Sequence, residues 1–176
     1  MEVFITDAAF CNMLIACVET YNKECMGLLM GLRTQKGDFI VQQALPYQIA
    51  SRRNKEVKPS PSAHQRMGRV LKDFPHVELI GDFHSHPAGR KYRGDIFPSE
   101  WDLASMEADN IYLILLVRKR AKEQRWNYNE DGTISGTLDD YFIKIAGWYL
   151  EEGEDSQNHK PRIARLRCPF ALDFRW

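Results

Sequence analysis

Apolar and polar positions along the chain predict short elements of two periodicities. Val3 to Thr6 reads as a short strand. Asp7 then caps a helix running to about Tyr21, with Phe10, Leu14, Ile15, Cys17 and Val18 as its apolar stripe. Glu24 to Leu32 is apolar but carries Gly27 and Gly31, which would be costly in a helix, so a strand is predicted. Lys36-Gly37-Asp38 reads as a hairpin turn into a strand over Phe39 to Ala44. Ser51 to Ser62 is polar, basic and interrupted by prolines, the pattern of a mobile loop. A helix follows over Ser62 to Phe74, then a strand over Val77 to His84. Ala88 to Pro98 fits no regular element. Ser99 opens a helix reaching about Asp109, and Ile111 to Arg118 is the most apolar strand, expected at the centre of a sheet. Later strands are predicted over Gln124 to Asn129, Ile134 to Leu138, Phe142 to Tyr149 and Arg162 to Leu166. Glu151 to Lys160 reads as a polar linker.

This order predicts an α/β (mixed α+β) fold, a curved mixed sheet with helices packed on its faces. Residues 1–150 are expected to form one domain. Residues 151–176 are expected to add a polar linker and a C-terminal strand packed on it. Composition sharpens the class. At 176 residues the chain suits one domain, and 44% hydrophobic and 27% charged residues are ordinary for a soluble globular protein. Lys+Arg and Asp+Glu both number 24, so no charge excess points to nucleic acid or to a membrane. The N-terminus lacks the pattern of a signal peptide, and the longest apolar run is too short to span a bilayer. Cys11, Cys17, Cys25 and Cys168 form no C-x-x-C pair and read as reduced cysteines, which suits the cytoplasm.

The chemistry concentrates at His84-Ser85-His86-Pro87. Residues two apart on a strand share a face, so both imidazoles can aim at one point. Pro87 is expected to stop the strand there. Two histidines and a carboxylate would bind zinc and leave a fourth position open for water. Asp102, in the first turn of the next helix, is placed to reach back. Ser99-Glu100-Trp101-Asp102 equally reads as a capping box, with Ser99 as N-cap and Asp102 at the third helical position. Glu24 can be a solvated strand end or a carboxylate that takes a proton from metal-bound water. His64, His76 and His159 lack ligand-like spacing, and Trp101, Trp126, Trp148 and Trp176 read as packing residues.

Taken together, Glu24, then His84-Ser85-His86-Pro87, then Ser99-Glu100-Trp101-Asp102, the chain resembles the JAMM (JAB/MPN-type) zinc metalloproteases. Lys23-Glu24-Cys25-Met26-Gly27-Leu28-Leu29-Met30-Gly31 is similar to that family's Glu-x-x-Gly-Leu-Leu-x-Gly strand. The similarity covers roughly Met1 to Val117. It implies a cytidine deaminase-like MPN/JAB architecture. It also implies one catalytic zinc ion held by His84, His86 and Asp102, with Glu24 activating water and Ser99 steadying the oxyanion. The implied substrate is the amide bond after the C-terminal glycine of a ubiquitin-like or sulfur-carrier protein. Pro87 to Pro98 is longer than the family's corresponding loop. With Arg90, Lys91, Tyr92, Arg93 and Asp95, it reads either as a solvated loop or as a basic lip for an acidic substrate surface.

Two other functions compete. One is a catalytically silent MPN scaffold, against which the intact ligand set argues. The other is a zinc nucleobase deaminase, which needs His-x-Glu and a later Pro-Cys-x-x-Cys that this chain lacks.

Overall fold

A threonine opens the first helix. In the computed structural model, Thr6 is the N-cap, its side chain accepting a hydrogen bond from the Ala9 N–H at 3.3 Å. Asp7 is instead the first residue of α1 (Asp7–Glu19). The structure describes the chain except residues 49, 54, 55, 75, 89–94, 120, 121, 152–159 and 173–176, and for 50–53 and 56–59 the backbone alone. Before α1 runs β1 (Glu2–Ile5). After it come β2 (Met26–Arg33) and β3 (Phe39–Pro46), paired antiparallel across the expected turn. Glu24 therefore precedes its strand rather than opening it. Gly27 and Gly31 are required by close approach, since a Cβ at either would overlap the backbone carbonyl of Leu45 or Ile40 on β3.

The segment expected to be a loop from Ser51 to Ser62 holds an antiparallel pair, β4 (Ala50–Arg53) and β5 (Glu56–Pro59). Its polar composition hid the strands, because the pair forms its own two-stranded sheet apart from the main one. Helix α2 (Pro61–Leu71) follows, with proline in its first turn.

Strand β6 (Glu78–Ala88) runs through the whole His-Ser-His-Pro motif. Pro87 does not stop it. The ladder to β2 ends at the Met26–His84 pair, so Pro87 lies where β6 has a sheet neighbour on one side only, the edge-like position in which a strand tolerates proline. Helix α3 (Glu100–Ser105) is shorter than expected. Met106 is already extended and Asp109 has φ 68°, which ends the helical path before β7 (Ile111–Lys119). Of the strand expected over Gln124 to Asn129, only β8 (Asn127–Tyr128) pairs. The remaining elements are β9 (Ile134–Leu138), β10 (Tyr141–Glu151), β11 (Lys160–Arg167) and a short α4 (Pro169–Leu172) that the hydrophobic pattern did not announce. Most of the expected polar linker and all of Arg90 to Arg93 lie outside the described residues.

Among the described residues nine strands form one mixed sheet in the order β11-β1-β3-β2-β6-β7-β10-β9-β8. β11 pairs parallel with β1 and antiparallel with β10, so the ladder returns on itself. The fold is thus mixed α/β, dominated by its sheet and with few helices. The main core joins Phe10, Met13, Leu14 and Cys17 of α1 to Val3, Leu29, Val41, Phe83, Leu113 and Leu115 of the strands. A smaller cluster of Ile96, Met106, Tyr112, Ile114, Leu116, Ala146 and Trp148 is separate from it. β7 contributes alternate residues to both clusters, which explains its unbroken apolar run. Among the described residues no helix is long and apolar enough to cross a membrane.

Candidate metal centre

Strand alternation sets the site. Phe83 and Ser85 are buried on one face of β6, while Asp82, His84 and His86 are partly buried on the other. β6 and β7 are parallel, so the chain crosses over between them through α3. That crossover brings the first turn of α3 to the two histidines. His84 Nε2 and His86 Nε2 lie 3.1 Å apart, and Asp102 places Oδ1 3.4 Å from the first and Oδ2 3.7 Å from the second.

Asp102 completes the helix cap and faces the two histidines at the same time. Its Oδ2 accepts from the Ser99 N–H at 2.7 Å, and its own N–H donates to Ser99 Oγ at 3.2 Å. This is a complete capping box. The cap orients the carboxylate, whose Oδ1 faces His84. The two readings were compatible because a carboxylate has two oxygens.

The tautomers suit a metal as well. The carbonyl of Asp95 lies 2.6 Å from His86 Nδ1 and can only accept, so Nδ1 carries the proton. The Nε2 lone pair of neutral His86 then faces the site. On His84, Nδ1 faces the Asp82 carboxylate at 3.9 Å. A tetrahedral ion with bonds of about 2.0 to 2.1 Å separates two nitrogen ligands by about 3.3 Å. The observed nitrogen spacing matches that, and all three ligand atoms fall within 4.8 Å of one another. His84, His86 and Asp102 therefore fit a metal ion.

The electrostatics point the same way. Burial disfavours the charged form of His84, but Asp102 and Asp82 outweigh it and push the imidazole up to about 10. Burial likewise opposes charge on Asp102, yet His84 and His86 hold its carboxyl well below the usual carboxylate range. Without a metal, the two acids draw a proton onto His84, in the place a cation would fill.

Glu24, Met26, Asp82, Trp101, Asp102 and Tyr112 border a cleft of about 620 Å³ together with both histidines and Ser99. All five residues singled out in the sequence thus reach one cleft. Trp101 is not a packing residue: it is 82% exposed at the cleft lip. Trp126 and Trp148 are buried as expected, while Trp176 and His159 lie outside the described residues. His64 bonds Tyr47 at 2.6 Å and is not among the residues that border this cleft.

Sequence reasoning missed Asp82, the Asp95 carbonyl and the role of Ser85. Asp82 was findable, because Asp82-x-His84-x-His86 puts three such side chains on one strand face. The Asp95 carbonyl carried no side-chain signal. Ser85 Oγ accepts from the Cys25 N–H and the Ser85 N–H donates to the Cys25 carbonyl, each at 2.9 Å. This clasp ties the segment after Glu24 to the middle of the histidine motif.

A family model described as prokaryotic homologs of the JAB domain matches residues 8–129. A search of curated proteins finds no match. Among solved structures, the chain is similar to the solution structure of protein DSY2949 from Desulfitobacterium hafniense, with a TM-score of 0.59. Identity is 18%, over 94% of this chain and 92% of that one, a likeness of fold.

Proposed function

The chain belongs to the family of prokaryotic JAB-domain homologs, and from that premise we propose that it is a zinc-dependent isopeptidase or peptidase. The observation that carries this reading is the approach of two imidazole nitrogens to 3.1 Å beside the Asp102 carboxylate, in a cleft that Glu24 also borders. The substrate we infer is a ubiquitin-like or sulfur-carrier protein, cut at the amide bond after its C-terminal glycine, in the cytoplasm.

His84, His86 and Asp102 would hold the ion. Bound zinc supplies Lewis acidity, lowering the pKa of water from about 15.7 to about 7. Glu24 then accepts a proton from the attacking water and returns it to the leaving amine. Ser99 uses its oxygen as the helix-cap acceptor, so its O–H proton is left to donate toward the oxyanion. The Asp95 carbonyl fixes the far nitrogen of His86, and the Asp82 carboxylate faces that of His84.

The test is cleavage of a panel of ubiquitin-like fusions ending in glycine. EDTA should abolish activity and zinc should restore it. Glu24→Gln should retain zinc yet lose about 10²- to 10⁴-fold in rate. Full activity in Glu24→Gln would remove Glu24 from the mechanism. A purified protein without zinc, and unresponsive to added zinc, would favour the silent scaffold instead.

A further inference from the structure

Behind the histidine strand, on the face away from the metal ligands, two thiols meet. Cys17 Sγ of α1 and Cys25 Sγ lie 3.5 Å apart. Both cysteines are buried at 1% exposure, and neither takes part in the mechanism above. Cys25 nevertheless borders a second cavity, of about 400 Å³, together with Glu19, Thr20, Met26, Pro46 and Tyr47. A small molecule in that cavity lies against Cys25, whose sulfur is in turn 3.5 Å from that of Cys17.

We propose that Cys17 and Cys25 form a dithiol site that small-molecule disulfides such as glutathione disulfide oxidise reversibly, and that closing the bond loosens the metal site. The chemistry is disulfide exchange. The Cys25 thiol loses its proton and attacks one sulfur of glutathione disulfide. A mixed disulfide forms on Cys25 and one glutathione leaves. The Cys17 thiol then loses its proton and attacks the Cys25 sulfur, displacing the second glutathione. Two protein thiols are oxidised to one disulfide, and one glutathione disulfide is reduced to two thiols. The spacing favours the second step, because the attacking sulfur already touches its target.

The link to the metal runs through the backbone. A disulfide bond is about 2.05 Å long, so the sulfurs must draw about 1.5 Å closer. Cys25 follows Glu24 directly, and its N–H and carbonyl are both clasped by Ser85 at 2.9 Å. Ser85 is itself 1% exposed and lies between His84 and His86. Cys17 is packed within the main core of α1. Movement of Cys25 toward it therefore pulls on the clasp behind both imidazoles and shifts the neighbouring Glu24.

The metal half of this proposal rests on the zinc reading above; the dithiol half does not. The full-length protein should be incubated with glutathione disulfide and digested without reduction. Free thiols in the denatured protein should fall from four to two, and a peptide cross-linked through Cys17 and Cys25 should appear. Zinc affinity, measured by competition with a chromogenic chelator, should fall at least tenfold and recover with dithiothreitol. Cys17→Ser should show no such zinc response, with Cys17→Ala as the second variant should the hydroxyl disturb the core. Thiols that stay at four, or glutathione lodged on Cys25 alone, overturn the proposal. So does a cross-link that leaves zinc affinity unchanged. Should the reduced protein bind no zinc, the zinc reading falls, and amide exchange at Cys25 and Ser85 decides the coupling. Faster exchange in the oxidised form supports it, and unchanged exchange rejects it.

Discussion

On one face of β7, Ile111, Leu113, Leu115 and Val117 enter the large core that includes α1. On the other, Tyr112, Ile114 and Leu116 enter a smaller cluster with Ile96, Met106 and Trp148. The large core is built from elements distant in sequence and excludes water. The small one is closed by single side chains: Trp148 donates its ring N–H to the Ile96 carbonyl at 3.0 Å, and the Tyr112 hydroxyl accepts from the Glu107 N–H at 2.6 Å. Tyr112 and Ile114 also line the cleft that holds His84, His86 and Asp102. The two faces carry different properties. Apolar burial proportional to area sits on the α1 face. The thinner face holds backbone segments at fixed positions around the ligands.

Adjacent residues of β7 offer the sharpest way to break that division. Leu113→Ala should cost about 3 to 5 kcal/mol of stability by urea unfolding, with zinc affinity unchanged in the folded protein. Ile114→Ala should cost less, about 2 to 3 kcal/mol, because its cavity can open into the cleft, and it should weaken zinc binding. Equal effects of the two on zinc would erase the distinction between the faces.

A pH series sharpens it next. The folded value for His84, about 10, lies above its ordinary 6.5. Its contribution is therefore fully present below about pH 6.5 and is lost as pH rises through about 10. For Asp102 the sign is opposite: its value is lowered, so its contribution is present above the ordinary 3.8 and lost as pH falls. EDTA-treated protein should thus lose melting temperature from about pH 6.5 upward, while zinc-loaded protein should not, since the metal replaces the proton. A flat profile in EDTA would contradict the His84–carboxylate pairing.

The smallest expected effect belongs to the cap. Ser99→Ala should cost about 1 kcal/mol, since it removes the acceptor for the Asp102 N–H. It should also lower cleavage rate without changing zinc content. A rate equal to wild type would leave Ser99 with its capping role alone.

Much of the site was legible because its chemistry is local. His84 and His86 share a face by strand period, and Ser99 with Asp102 share a cap by helix period; both periods are properties of the backbone. Joining Glu24 to them needed the family resemblance, since nothing in its own neighbourhood states which cleft it borders. The strand ends were read less well, for physical reasons. The sequence pattern predicts a stop at Pro87, but its strand has already lost one neighbour and makes no demand for a second ladder. The β4–β5 pair escapes a pattern-based reading because its segment is polar and proline-bearing, and backbone hydrogen bonding between two short strands needs no apolar alternation. Trp101 reads as a packing residue in the sequence because composition cannot tell an aromatic at a cleft lip from one in a core.

The return of the ladder through β11 has a consequence for how the chain is made. Glu2 and Val3 pair with Arg165 and Leu166, so β1 waits during synthesis for a strand made long after it. Until then β1 has β3 on one side and an open edge on the other. Such remote closure slows folding and leaves a sticky border exposed during synthesis. The Arg167 guanidinium that grips the Glu2 carboxylate at 2.7 Å is a late-arriving latch, and the nascent chain is most vulnerable to aggregation before it engages.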